Sequence, residues 1–147
     1  MIKKITLAVW CGILLLSCDF RRKDKIADDN AKITEQALKD STTVQLIDSL
    51  YDFGTVAEGE KVEFSYRFKN TGSKPLVIIT ASASCGCTVP QRPEKPILPG
   101  ETGFIKVVFD SRGKVGENHK PITVTSNANP AFPQLMLQGK VEAKKQP

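Results

Sequence analysis

The 147-residue sequence contains little of what nucleic-acid binding requires. Aromatic residues make up 7% of the chain and there is one tryptophan, so few side chains are available to stack on bases. The formal net charge is +5, and two of the positive charges, Lys3 and Lys4, belong to the N-terminal segment. The remaining excess is small and spread along the chain, so the sequence predicts no nucleic-acid partner.

Histidine is also scarce, which restricts the enzyme classes that the sequence allows. Ser–His–Asp and Cys–His sites need a histidine, and the one histidine, His119, lies in a segment predicted to be an exposed turn before a strand. Neither Glu58-Gly59-Glu60 nor Pro99-Gly100-Glu101 follows the pattern of a phosphate-binding loop. We therefore predict no catalytic residue, no cofactor and no enzymatic activity.

The longest apolar run covers residues 5–16 and is too short to cross a bilayer, which needs about 20 residues. Its length and the two preceding lysines are typical of a signal peptide. The run ends in Leu15-Leu16-Ser17-Cys18, which resembles a bacterial lipobox. The resemblance implies a lipoprotein signal peptide at residues 1–17, cleavage after Ser17, and acylation of Cys18 with diacylglycerol and a fatty acid such as palmitate.

This lipidation determines the expected location of the protein. Two or three acyl chains anchor a protein stably, whereas one binds a membrane only marginally. We expect a membrane partner through the N-terminal lipid anchor, on the inner or outer membrane of the cell envelope, facing the periplasm or the cell exterior. Cys11 lies inside the signal peptide and is expected to be removed with it.

The segment after the signal peptide is rich in charge and poor in apolar residues. Between residues 19 and 41 there are six basic and six acidic side chains, too polar a composition to bury a core. Residues 18–42 are therefore predicted to be the lipidated Cys18 followed by a flexible charged linker. Ile26, Ile33, Ala37 and Leu38 are spaced for a transient amphipathic helix within it.

Residues 43–143 have the apolar period of β-strands. Val62, Phe64, Tyr66 and Phe68 alternate with polar residues, which indicates a strand with one buried face. Further strands are predicted near residues 44–46, 51–53, 76–79, 104–109, 122–125 and 135–141. About seven short strands and no long helix predict an all-β fold, an immunoglobulin-like antiparallel β-sandwich, followed by a tail at residues 144–147.

A series of short motifs in this domain resembles the DUF1573 family. The motifs are Asp52-Phe53-Gly54-Thr55-Val56, Glu58-Gly59-Glu60, Phe68-Lys69-Asn70-Thr71-Gly72, Pro75-Leu76, Ser84-Cys85-Gly86-Cys87-Thr88, Pro99-Gly100-Glu101 and Ser126-Asn127. The resemblance covers about residues 48–142 and implies a fold similar to ASH/MSP/hydin-type immunoglobulin-like domains of secreted or lipid-anchored proteins. It implies no activity. Within the motifs, Gly72 and Gly100 are predicted to adopt positive φ.

The Cys85-Gly86-Cys87 motif is the one chemically reactive candidate. If the preceding strand continues through it, both side chains lie on the buried face and their Cα atoms are about 6.6–7 Å apart. That separation is at the limit of disulfide geometry, although Gly86 would permit a bend that closes the gap. Three alternatives fit: thiols packed beside the core, which the spacing favours; a disulfide formed after export; and a soft-metal site for an ion such as Cu(I). His119 and Met136 are further candidate metal ligands.

The sequence thus predicts a non-enzymatic, lipid-anchored cell-envelope protein that acts by binding. The expected partner is another envelope protein, because loops and sheet edges of such domains serve as docking surfaces, and the protein itself is expected to be a monomer. The alternative is a thiol redox or copper-handling module built on Cys85 and Cys87.

Overall fold

A computed structural model describes residue 29 and residues 31–144 of the chain. Cys18 and the predicted signal peptide lie outside the described residues. A short helix, α1, covers residues 31–37. Eight strands follow: β1 Val44–Leu46, β2 Leu50–Ala57, β3 Lys61–Asn70, β4 Ile78–Ala83, β5 Thr88–Gln91, β6 Thr102–Asp110, β7 Gly116–Ser126 and β8 Leu135–Glu142. Within the described part, no helix is long and apolar enough to cross a membrane.

The strands form a sandwich of two four-stranded sheets, as the period of two predicts. The first sheet has the order β1-β3-β6-β5 and the second has the order β2-β8-β7-β4. Alternation places every second side chain of β3 in the core, where Tyr66 and Phe68 are fully buried against residues of β6 such as Ile105 and Phe109. The rings of Phe68 and Phe132 contact each other edge-on, with centroids 5.2 Å apart, whereas Phe109 stacks on Phe53 with centroids 5.5 Å apart.

One pair of strands runs in the direction opposite to that expected of an antiparallel sandwich. β2 pairs with β8 in parallel, whereas the other strand pairs are antiparallel. The chain crosses from the first sheet to the second between β1 and β2, so β2 joins the edge of its sheet without a hairpin connection to β8. Two strands joined by a tight hairpin must be antiparallel, and this requirement does not apply to β2 and β8.

A helical turn of the charged linker packs on the sandwich. Ala37, the last residue of α1, is 2% exposed. The side-chain amide of Asn127 donates to the carbonyl oxygens of Ala37 and Asp40 at 2.8 and 3.1 Å, and to that of Pro75 at 3.0 Å. The carbonyls at the end of a helix have no partner within the helix, and that of Ala37 accepts from both the Asp40 amide and Asn127. The bonds from Asn127 attach α1 to the domain.

The two glycines singled out in the sequence have different roles. Gly100 has a φ of +83°, as predicted, and this conformation favours glycine. The prediction for Gly72 is wrong, because Gly72 is not among the described glycines with positive φ. A Cβ at Gly72 would lie 2.6 Å from the backbone nitrogen of Thr43 and would overlap the Thr42 side chain. Glycine is needed there for close approach of two chain segments.

Candidate functional site

The Cys85-Gly86-Cys87 motif lies at the corner where the chain leaves the second sheet for the first. β4 ends at Ala83, and residues 84–87 form a bend and turn before β5 begins at Thr88. The strand therefore does not continue through the motif, and the Cα atoms of the two cysteines are 5.3 Å apart instead of 6.6–7 Å. At this separation the sulfurs are joined in a disulfide. The sequence favoured free thiols packed beside the core. The structure instead contains the disulfide, which was the second alternative.

The two ends of this turn are also fixed by backbone hydrogen bonds. The amide of Thr88 donates to the carbonyl of Cys85 at 3.2 Å, and the amide of Asp110 donates to the carbonyl of Cys87 at 2.8 Å. Both cysteines are half-buried, but Cys87 packs against the core cluster, whereas Gly86 between them is exposed. The disulfide therefore has an inner sulfur and an outer one.

A buried hydroxyl lies beside both sulfurs. Thr88 is 4% exposed, and its Oγ1 is 3.7 Å from the Sγ of Cys85 and 3.9 Å from the Sγ of Cys87. Distances of this size are within the range of hydrogen bonds that involve sulfur. Thr88 begins β5, a strand that the sequence did not reveal, so its position beside the cysteines follows only from the fold.

The structure does not assemble the metal site considered for the two cysteines. Their sulfurs are bonded to each other, so neither is a thiolate ligand in this state. His119 lies in β7, not in an exposed turn as predicted, and it faces solvent on the outer surface of the second sheet opposite Gln138. Among the described residues, no group of three or more His, Cys, Asp or Glu side chains could hold a metal ion. Met136, the other candidate, lies in β8.

Asp52, which interacts electrostatically with His119, has a lowered pKa with a clear structural cause. The backbone amide of Gly54 donates to Asp52 at 2.8 Å, and the side-chain amide of Gln138 donates to it at 3.3 Å. These hydrogen bonds, that of Gly54 first, hold the pKa of Asp52 below its usual value. Asp52 is thus an ionised surface acceptor.

A second candidate surface is the outer face of the first sheet. Phe104 lies near the start of β6, where β3 pairs with that strand but the β5 ladder, which covers residues 106–109 of β6, does not reach, and Phe104 is 53% exposed. Its cross-strand partner is Arg67 on β3, which Asp48 holds in place through Nε at 2.7 Å and Nη2 at 3.0 Å. Val89 on β5 is exposed on the same face and lies opposite Val108 of β6. Apolar side chains and a fixed guanidinium therefore share the outer face of the first sheet.

The sequence contains a signal for this surface in the alternation of side chains along β6. Phe104 alternates with the buried Ile105, Val107 and Phe109, so the period of two places it on the solvent side of β6. What sequence could not show was the pairing with Arg67, since the two residues are brought together only by the β3–β6 register.

The outer faces of the two sheets carry charge of opposite sign. Outward-facing positions of the first sheet hold Lys61, Arg67, Lys69 and Lys106 against Glu63 and Asp110, so four positive charges oppose two negative ones. Outward-facing positions of the second sheet hold Asp52, Glu117 and Glu142 against Lys140, so three negative charges oppose one positive one. The face that exposes Phe104 is thus the basic one.

Solved structures similar to this chain are known for several otherwise different proteins. A protein of unknown function from Porphyromonas gingivalis W83 aligns with a TM-score of 0.60 and 15% identity over 68% of this chain and 47% of that protein. The ASH/PapD-like domain 7 of human CEP192 aligns with a TM-score of 0.55 and 14% identity over 71% of this chain and 89% of that domain. The VesB protease of Vibrio cholerae aligns with a TM-score of 0.52 and 12% identity over 71% of this chain and 32% of that enzyme.

These similarities establish an immunoglobulin-like, PapD-like sandwich and nothing more, because the identities are low. This chain spans about half the length of the Porphyromonas protein. No curated protein matches the sequence. A family model described as "Protein of unknown function (DUF1573)" matches residues 44–141, about two thirds of the chain and all eight strands but the last residue of β8, and the protein therefore belongs to the DUF1573 family.

Proposed function

We propose that this protein is a non-enzymatic, lipid-anchored component of the cell envelope whose sandwich binds another envelope protein. The immunoglobulin-like, PapD-like fold is typical of binding modules. The one histidine of the chain is exposed on the outer face of the second sheet, opposite Gln138. The lipobox at residues 15–18 supports anchoring through Cys18.

The single observation that carries the binding proposal is the exposed Phe104 beside the fixed Arg67. An aromatic ring left half in water on the outer face of a sheet gains free energy when a partner covers it. Arginine and aromatic residues are also the side chains enriched at the centres of protein interfaces. Arg67 is already held by Asp48, so little side-chain entropy is lost when a partner contacts it.

The charge of this face defines the chemistry of the partner. With four basic and two acidic side chains on the outer surface of the first sheet, the partner should present acidic side chains around an apolar contact. Lys69, which lies next to Arg67 on the outer face and opposite Thr102, extends the positive surface toward the β3–β4 turn.

A site-specific photocrosslinker tests this surface in the native envelope. We would replace Phe104 by p-benzoylphenylalanine and, as a control, replace Thr123, which is exposed on the opposite sheet. The proposal predicts one discrete crosslinked species from position 104 and none from position 123. Equal adducts from both positions, or no adduct from position 104, would show that this face is not the binding surface.

Affinity measurements with the crosslinked protein then test the individual residues. Phe104→Ala should weaken binding by about 2 kcal/mol or more, about thirtyfold, if Phe104 is an interface anchor. Lys69→Glu should reduce the association rate most strongly at low salt. Val115→Ala is the matched control, since Val115 is 56% exposed but lies before β7, away from this face. An equal loss in Val115→Ala would contradict the proposal.

A further inference from the structure

The Cys85–Cys87 disulfide is a weak structural crosslink. It joins residues separated by two positions, and the stabilisation expected from a crosslink decreases as the loop that it closes becomes shorter. The turn is also held at both ends without it, by the Thr88 amide on the Cys85 carbonyl and the Asp110 amide on the Cys87 carbonyl. β4 and β5 are in turn fixed by their ladders with β7 and β6. The bond therefore adds little to the shape of this corner.

The corner is open to an incoming group from one side. Gly86 is exposed, and a Cβ built on it would meet no heavy atom within 4 Å. Cys87 packs against the core cluster, while Cys85 is outside that cluster. In thiol–disulfide exchange the attacking thiolate must reach one of the two sulfurs in line with the S–S bond. Cys85 is therefore the sulfur that a thiolate would attack.

The Thr88 hydroxyl is positioned to stabilise the thiolate that such an attack releases. It lies 3.7 Å from one sulfur and 3.9 Å from the other, and Thr88 itself is shielded from solvent. A hydrogen bond donated to a thiolate favours the charged form and thereby makes it a better leaving group. The same hydroxyl can serve either sulfur, so it assists both halves of an exchange reaction.

We propose that Cys85, Cys87 and Thr88 form a thiol–disulfide exchange site for a dithiol, such as a pair of cysteines in another envelope protein. A thiolate of the dithiol attacks the Sγ of Cys85, the Cys85–Cys87 bond breaks, and Cys87 leaves as a thiolate beside the Thr88 hydroxyl. The second thiolate of the dithiol then attacks its own bridged sulfur and releases Cys85 as a thiolate. Two electrons pass from the dithiol to the cysteine pair, the dithiol becomes a disulfide, and the two released thiolates take protons from water.

This reaction is stoichiometric and occurs at the β4–β5 corner, next to the Asp110 end of β6, whereas Phe104 lies near the other end of that strand. It is therefore independent of the binding surface proposed above, and either proposal can fail without the other.

The first experiment measures accessibility with the full-length protein in detergent. Under native conditions dithiothreitol should reduce the Cys85–Cys87 bond, as followed by alkylation and mass spectrometry of the peptide that contains both cysteines. In Cys87→Ser, oxidised glutathione should form a mixed disulfide at Cys85 at least tenfold faster than it does at Cys87 in Cys85→Ser. A bond that is reduced only after unfolding, or equal rates for the two variants, would overturn the proposal.

The second experiment isolates the hydroxyl. Thr88→Val in the Cys87→Ser background should lower the rate of glutathione attachment at pH 7 at least threefold, and Thr88→Ser should restore it. At a pH high enough to ionise the thiol fully, the Thr88→Val rate should approach that of the parent, because only the thiolate fraction is changed. Near-ultraviolet circular dichroism confirms that each variant is folded. A rate at pH 7 that does not respond to Thr88→Val would assign Thr88 a packing role and overturn its part in the site.

Discussion

The hydroxyl of Tyr66 donates a hydrogen bond of 2.7 Å to the backbone carbonyl of Met136. Tyr66 lies on β3 in the first sheet and Met136 lies on β8 in the second, so this bond joins the two sheets through the core. The Tyr66 side chain is fully buried, and this burial is the main cause of the raised pKa of its hydroxyl. The hydroxyl is thus a neutral donor throughout the physiological pH range.

Removal of this hydroxyl should destabilise the sandwich without altering its fold. Tyr66→Phe should lower the free energy of unfolding by about 1–2 kcal/mol, because the Met136 carbonyl loses one donor and the ring remains. Tyr51→Phe is the control, since Tyr51 is half-buried and contacts Phe64 through its ring. Urea denaturation followed by circular dichroism measures both variants. Equal losses in the two would show that the bond between the sheets contributes nothing specific.

Because Asn127 holds α1, we expect this part of the linker to contribute to the stability of the folded domain. A fragment of residues 29–147 should be more stable than a fragment of residues 42–147 by about 1–2 kcal/mol, because the latter lacks the buried Ala37 and two acceptors of the Asn127 amide. Both fragments should give β-rich circular dichroism spectra. Asn127→Asp should abolish most of the difference between them, and identical midpoints for the two unmodified fragments would contradict the role of α1.

Stability should decrease in acid below about pH 4. The side chain of Arg67 donates to Asp48, and that of Arg112 donates to Asp110. These bonds hold the pKa of Asp48 below its usual value and lower that of Asp110 to about 2. A depressed folded-state pKa stabilises the native state above the unfolded-state pKa, and the stabilisation is lost as pH falls through the folded-state value. Unfolding midpoints between pH 7 and pH 2 should therefore fall mainly below pH 4. Asp48→Asn should show a smaller fall, and an unchanged acid profile would contradict the assignment.

Loss of the Cys85–Cys87 disulfide should lower the free energy of unfolding by less than loss of a typical disulfide. A bond that closes a ring of three residues should contribute about 1–2 kcal/mol in the chain-entropy model, and the backbone hydrogen bonds of the turn remain. The Cys85→Ala, Cys87→Ala double variant should therefore fold at 37 °C with a modest decrease in its urea midpoint. Failure of the variant to fold would show that the bond is a main structural support.

Cys18 lies outside the described residues, and its lipidation stays a prediction from the lipobox. Mass spectrometry of the mature protein should find an acylated N-terminal Cys18. Cys18→Ala should accumulate as an uncleaved precursor or be found in the wrong compartment, because no thiolate is available for diacylglyceryl transfer. An unmodified mature N-terminus at any other residue would contradict the lipoprotein assignment.

Strand positions were largely predictable from the sequence, because burial of one face of a strand imposes a local period of two. The predicted alternation at residues 62–69 is confirmed by β3, and the predicted strand at residues 104–109 is confirmed by β6. The sequence did not predict β5, because its four residues are too few to establish a period. One of them is Pro90, and proline disfavours the interior of a sheet. The end of β4 at Ala83 was missed because the apolar odd positions continue into Cys85 and Cys87.

By itself, the sequence determined the all-β class, the approximate strands and most turns, since each depends on neighbouring residues in the chain. Tertiary structure decided the parallel β2–β8 pair, the closure of the Cys85–Cys87 disulfide, the exposed Phe104 beside Arg67, and the attachment of α1 through Asn127. Asn127 and Ala37 are 90 positions apart. A periodic pattern specifies which face of a strand is buried. The packing of the whole sandwich decides the partner across the sheet, the point where a strand bends away and the group that covers a helix end.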